Sequence, residues 1–273
     1  MSALAAAGAS AKLPEWGKCQ ATGGGTGGKY SDAGCTVKAH KKKGVYTGGY
    51  EWTTLAGEFQ LRPMALAGTL VFETTAGKKI ECTGLAGESH AELRGASGAL
   101  TPLWELEGCQ SEGQGCKSEM AFSEGEINNT YAWYGEPAEE GGPTPGWTGQ
   151  LGFIAKGGPS PVVGMAYTVK NDERLFEPVV CHGAIGTVWI GGAPKGGDSF
   201  ISAIAPVDQM STEYTETYSS SAPGVQNPTK FAGGKRAMIE AFLENHWEPV
   251  AINGTFHYLT EESGQPIEIK AIP

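Results

Sequence analysis

Residues 69–83, Thr-Leu-Val-Phe-Glu-Thr-Thr-Ala-Gly-Lys-Lys-Ile-Glu-Cys-Thr, decide the fold class. Thr69 to Thr74 is β-branched and aromatic. Ala76-Gly77-Lys78 interrupts it as a turn, and Lys79 to Thr83 resumes as a return strand. The return strand ends on Cys82, one of six cysteines, at 19, 35, 82, 109, 116 and 181.

The same pattern recurs along the chain. Ala99 to Glu107 (interrupted by Pro102), Gly149 to Ala155, Val162 to Lys170, Leu175 to Cys181, Ala184 to Ile190 and Phe200 to Ala205 are short strand candidates with Gly or Pro nearby. In Met210 to Tyr218, the residues Met210, Thr212, Tyr214, Glu216 and Tyr218 alternate with Ser, Glu and Thr. Strands at such close intervals predict an all-β fold, an antiparallel β-sandwich or barrel of jelly-roll type with long Gly-rich loops. Lys235 to Glu244 fits two templates. Met238, Ala241 and Phe242 make a helical stripe, whereas Val250-Ala251-Ile252 and Thr255 to Leu259 offer it a partner strand.

No cysteine spacing is C-x-x-C, and no histidines follow at zinc-site spacing. An even count among strands reads as three disulfides and an exported protein. Cys19–Cys35 would close the loop Gly23 to Asp32. Cys109–Cys116 would pin a Gly-rich hairpin tip. Cys82–Cys181 is then left by elimination, and it predicts that the strands ending at those residues are neighbours. On these pairings all six cysteines are structural.

Glycine, 42 of 273 residues, is about twice its usual ~7 % share. It points to turns and close approaches rather than long helices. The net charge of −10 disfavours nucleic acid as a partner, since that needs a basic face. His40-Lys41-Lys42-Lys43 reads as a solvated turn in preference to a polyanion site. No stretch approaches 18 apolar residues, so no membrane span is expected.

Residues 1–12 read as a flexible leader or the remnant of a signal peptide, ending in Ala9-Ser10-Ala11. Residues 13–273 read as one β-rich domain, with 13–52 its disulfide-closed loop region. The stretch 135–146, GEPAEEGGPTPG, is linker-like, but a Cys82–Cys181 bridge would span it.

The segments Pro14-Glu15-Trp16-Gly17-Lys18-Cys19, Gly28 to Thr36, Gly49-Tyr50-Glu51-Trp52 and Val207-Asp208-Gln209-Met210-Ser211, with the cysteine spacing, resemble a group of exported, Gly-rich, six-cysteine β-proteins. These come from actinobacteria of the Solirubrobacter and Thermoleophilum type. The resemblance runs from residue 14 to about residue 260. It implies secretion and a β-rich, Gly-containing fold, and it transfers no catalytic or binding residue.

Motifs for chemistry are incomplete. Gly23 to Lys29 has the G-x-x-x-x-G-K spacing, but Tyr30 stands where a P-loop needs Ser or Thr, and no strand–loop–helix context surrounds it. Gly197-Asp198-Ser199-Phe200 resembles the GDSL block of serine esterases, yet the residues three before His246 and His257 are Leu243 and Gly254 rather than Asp. The carboxylates Glu73, Glu81, Glu105, Glu213 and Glu216 could supply a glycosidase pair, but strand residues facing solvent is the simpler reading. Neither catalytic residues, nor a metal, nor a cofactor is expected.

Aromatics in loop-like sequence are more suggestive. Tyr131, Trp133, Tyr134 and Trp147 are the candidate binding residues, suited to stacking on sugar rings or anchoring a protein interface. The expected function is a non-catalytic exported protein that binds or assembles outside the cell. Its partner would be a carbohydrate, a cell-surface protein or another copy of itself. The alternatives are a carbohydrate-binding module or β-sandwich glycosidase, and a self-assembling filament subunit.

Overall fold

In the computed structural model the hairpin over residues 69–83 is present. Leu70–Thr74 pairs with Lys79–Cys82, Leu70 opposite Cys82 and Glu73 opposite Lys79. Leu70, Phe72, Thr74, Ile80 and Cys82 are buried, while Val71, Glu73 and Glu81 face partly outward. The structure describes residues 13–86, 89, 91–100, 104–119, 121, 123–128, 147–154, 162–169, 176, 178–183, 185–191, 199–228, 230, 237–260 and 264–271.

The fold is all-β, and its strands close on themselves. One antiparallel barrel runs through eight strands: Glu213–Ala222, Ser199–Ala205, Val162–Val169, Trp147–Ile154, Gly98–Leu100, Ala91–Arg94, Glu58–Leu66 and His246–Thr260, which pairs back onto the first. Of the two architectures the sequence allowed, this is the barrel. An eight-stranded barrel is just wide enough for side chains to fill it, and Trp104, Phe200, Tyr218 and Phe256 do so.

The pairings close a second time. From the same long strand, His246–Thr260, they run through Ile239–Leu243, Thr187–Ile190, Val179–Cys181, Gln114–Ser118, Gln110–Ser111, Lys79–Cys82 and Leu70–Thr74, and return to it. The long strand is therefore a wall of both rings. Val250 to Asn253 pair with the Leu70–Thr74 strand, and Gly254 to Leu259 pair with the Glu213–Ala222 strand. At the crossing, a Cβ on Gly254 would lie 2.7 Å from Leu70 Cδ1 and 3.1 Å from Leu70 Cα, so the close approach of the two strands favours glycine. The Gln226 side chain serves the backbone beside it. Its Oε1 accepts from the Ile252 N–H (2.8 Å), and its Nε2 donates to the Ile252 carbonyl (2.9 Å).

Residues 239–260 form the hairpin rather than the helix. Leu243 pairs with His246 around Glu244-Asn245, both at positive φ, as a two-residue turn of type I′ requires. The helical stripe is not used: Ala241 faces the core, whereas Phe242 faces outward.

Two disulfide pairings differ from expectation. Cys19–Cys35 forms, but the other bridges are Cys82–Cys109 and Cys116–Cys181. The strands ending at Cys82 and Cys181 are not neighbours, because Gln110–Ser111 and Gln114–Ser118 lie between them. The four cysteines sit side by side across the second ring, Cys82, Cys116 and Cys181 on strands and Cys109 just before Gln110–Ser111. Cys109 and Cys116 do face each other, but the Cys116 N–H donates to the Cys109 carbonyl (2.9 Å). A hydrogen-bonded pair holds its α-carbons ~5.5 Å apart, whereas a non-hydrogen-bonded pair closes to ~4.5 Å. Cys116 and Cys181 are of the second kind, 4.0 Å apart, with the flanking His182 N–H donating to the Gly115 carbonyl. Cys82 and Cys109 are likewise 4.0 Å apart.

The N-terminal region is a lobe on this body. Glu15–Ala21 pairs with Tyr50–Thr54 on one side and with Glu268–Lys270 on the other. Trp16 packs edge-on against Tyr214, whose hydroxyl donates to the Ile267 carbonyl (2.5 Å). Lys270 Nζ lies 4.6 Å from the Trp52 ring centre and 5.2 Å from that of Tyr30, with Glu268 3.4 Å away.

Candidate functional site

Besides the Lys270 cluster of the lobe, two arrangements among the described residues gather polar or aromatic side chains. The first fills the eight-stranded barrel. Alternation along Glu213–Ala222 points Tyr214, Glu216 and Tyr218 inward. Glu216 Oε1 accepts from Ser202 Oγ (2.5 Å) and the Tyr218 hydroxyl (2.7 Å), and Oε2 accepts from the Tyr258 hydroxyl (2.8 Å). Tyr167 adds a fourth hydroxyl that favours the charged carboxylate. Burial pushes the Glu216 carboxyl above the usual range, and the four hydroxyls act against that shift. Burial, with the Glu216 charge beside them, raises Tyr167, Tyr218 and Tyr258 well above ordinary phenols, which keeps them protonated and donating.

This network can hold a proton, because Ser202 Oγ also lies 3.4 Å from the Met165 carbonyl. Ser202 can donate there while accepting from a protonated Glu216. Trp104 stacks on Phe256 at 4.7 Å, and Tyr167 on Phe200 at 4.9 Å. The Trp104 indole N–H influences the Tyr258 hydroxyl without reaching hydrogen-bond geometry. Every member of the network is buried, so the cluster is a polar core and not a cleft. Glu216 is therefore not the solvent-facing strand carboxylate the sequence suggested. Glu73 and Glu81 do lie on an outward-facing side, that of the second ring, where Glu73 meets Lys79 at 3.2 Å.

The second arrangement lies outside the second ring. Trp189, Phe242 and Trp247 sit opposite one another on three adjacent strands, all facing outward and partly exposed. Their ring centres are 5.4 Å apart in both steps, with tilts of 31° and 53°. One rung along is Glu240, opposite Pro249. On the other side the turn Glu244-Asn245 and His246 are exposed. The strip is an aromatic surface bordered by carboxylate, amide and imidazole groups.

The interior behind it is apolar. It holds a cavity of about 10 Å³ lined by Phe72, Ile80, Val188, Ile190, Leu243 and Val250 among others, room for no more than one water. Among the described residues no group of three or more His, Cys, Asp or Glu is placed to hold a metal ion, and no helix is long and apolar enough to cross a membrane.

Tyr131, Trp133 and Tyr134 lie outside the described residues. Trp147 opens the strand Trp147–Ile154, opposite Val169. The sequence reading missed Trp189, Phe242 and Trp247 because it sought aromatics in loops. Aromatics at corresponding rungs of successive strands were the available signal, but it appears only once the Ile239–Leu243 hairpin and its register are known. Comparison with protein-family models, curated proteins and solved structures returned no match.

Proposed function

We propose that this chain is an exported, non-catalytic binding protein that engages carbohydrate through the Trp189–Phe242–Trp247 strip. The strip itself carries the reading: three rings in line on a disulfide-braced ring of strands, with hydrogen-bonding side chains along both borders. Aromatic faces suit the apolar faces of sugar rings, and neighbouring polar groups suit their hydroxyls. Rigid rings lose little entropy on binding. The three disulfides support an oxidising compartment, outside the cell or at its surface.

Co-sedimentation with insoluble polysaccharides and an array of soluble glycans test the reading. The wild-type chain is expected to bind at least one polymer, and Trp189→Ala with Trp247→Ala is expected to weaken binding 10-fold or more. Failure of the wild-type chain to bind any glycan, or undiminished binding by the variant, would overturn it.

A further inference from the structure

The lobe carries a feature that neither barrel explains. Lys41–Lys42 pairs with Val45–Tyr46 as a short hairpin, Lys41 opposite Tyr46 and Lys42 opposite Val45. Lys43 and Gly44 form its tip at φ 51° and 85°. Lys38, Lys41, Lys42 and Lys43 are all exposed, and residues 33–50 contain no Asp or Glu. The chain as a whole carries −10, so these four lysines stand against −14 on the rest.

The prong bears the most exposed large hydrophobic residue described, Val45 at 60 %, opposite Lys42; Val37, exposed at 56 %, lies behind its base, where its N–H donates to the Asp32 carboxylate (2.7 Å). Lys41 Nζ lies 4.6 Å above the Tyr46 ring. The base is held firmly. The Ala39 N–H donates to the Lys29 carbonyl and the Thr47 N–H to the His40 carbonyl. Gly28 and Gly48 each lie where a Cβ would meet backbone within 2.2 Å, and Cys19–Cys35 closes the loop behind.

We propose that this prong docks the protein on the surface of an anionic lipid bilayer. Lysines near such a surface are attracted by its negative potential, each adding about fivefold to binding. Cations alone would suit any polyanion equally. The exposed Val45 favours a bilayer, because a polyanion in water gives its side chain nothing to bury against, whereas the acyl boundary does. The acidic remainder of the chain is repelled by the same surface, so approach is tip-first. This inference is independent of the aromatic strip.

The test is co-sedimentation of the full chain with vesicles of phosphatidylcholine, with and without phosphatidylglycerol. Binding is expected to the anionic vesicles alone and to fade as salt rises above about 0.1 M. Lys41→Gln, Lys42→Gln and Lys43→Gln together are expected to weaken it about 100-fold, and Val45→Ser about 10-fold. All four side chains are exposed or at the tip, so thermal unfolding should be unchanged, which separates docking from folding. Absence of binding to anionic vesicles overturns the proposal. So does tight binding to soluble heparin with the valine variant unaffected, which would make the prong a polyanion site.

Discussion

The two rings share one strand but are fixed internally by different means. The eight-stranded barrel is organised around a carboxyl, three phenols and a serine hydroxyl, enclosed by stacked aromatics. The second ring has an apolar interior, and two disulfides tie neighbouring segments of its wall together. A buried hydrogen-bond network specifies one arrangement because every member needs its partners. An apolar interior tolerates rearrangement more readily, and here covalent links between neighbouring strands hold the register instead.

Removing the covalent links has the largest expected effect. The loops closed by Cys116–Cys181 and Cys82–Cys109 are 65 and 27 residues long, which corresponds to about 4.3 and 3.5 kcal/mol of chain entropy. Together they approach the whole stability of many domains. Cys→Ser substitution at all four positions should unfold the second ring and leave the barrel's amides protected, as read by hydrogen exchange. Uniform loss of protection across both rings would show that the network cannot hold the barrel by itself.

Disturbing the network comes next. Glu216→Ala should cost about 3–5 kcal/mol, through a cavity and stranded hydroxyls. Glu216→Gln, nearly isosteric but with an amide donor facing hydroxyl donors, should cost about 1–2 kcal/mol in chemical denaturation. The pH dependence is more specific. The folded-state pKa of Glu216 is raised, so its contribution is complete below the unfolded value of ~4.3 and fades as pH rises through the folded value. Glu216→Gln should remove that decline, and an unchanged stability–pH slope in the variant would contradict the assignment. Glu51 runs the other way. Despite the opposing effect of burial, its hydrogen bonds and ion pair with Lys29 lower its pKa, so its contribution is present above the unfolded value and lost as pH falls through the folded one.

The smallest effect belongs to the lobe. Lys270→Met should cost about 0.5–2 kcal/mol by removing the ammonium from between Trp52 and Tyr30. Faster exchange confined to Glu15–Ala21 and Tyr50–Thr54 is the expected signature.

The sequence conveyed the strands well and their neighbours poorly. TLVFETTAGKKIECT displayed its hairpin because both strands and the turn are local. The alternation of Tyr214, Glu216 and Tyr218 was equally visible, but a glutamate between two tyrosines reads as a solvent-facing edge until Ser202, Tyr167 and Tyr258 arrive from other strands. The cysteine pairing failed for a related reason. Cys109 and Cys116 are close in sequence and do face each other, yet whether a cross-strand pair can bridge depends on its place in the hydrogen-bond alternation, which composition does not reveal. The Trp189–Phe242–Trp247 strip was hidden in the same way, since its rings meet only through strand register.

The shared strand His246–Thr260 also sets an order of events. Neither ring can close until this strand has been made, because it is the final wall of both: residues 250–253 close the second ring and residues 254–260 the barrel. Until then the preceding strands are open sheet with free edges, and every closing contact spans a long stretch of chain. Such topologies fold slowly and expose edges to other chains in the meantime. A polypeptide of this design reaches its finished form only after synthesis has passed that strand.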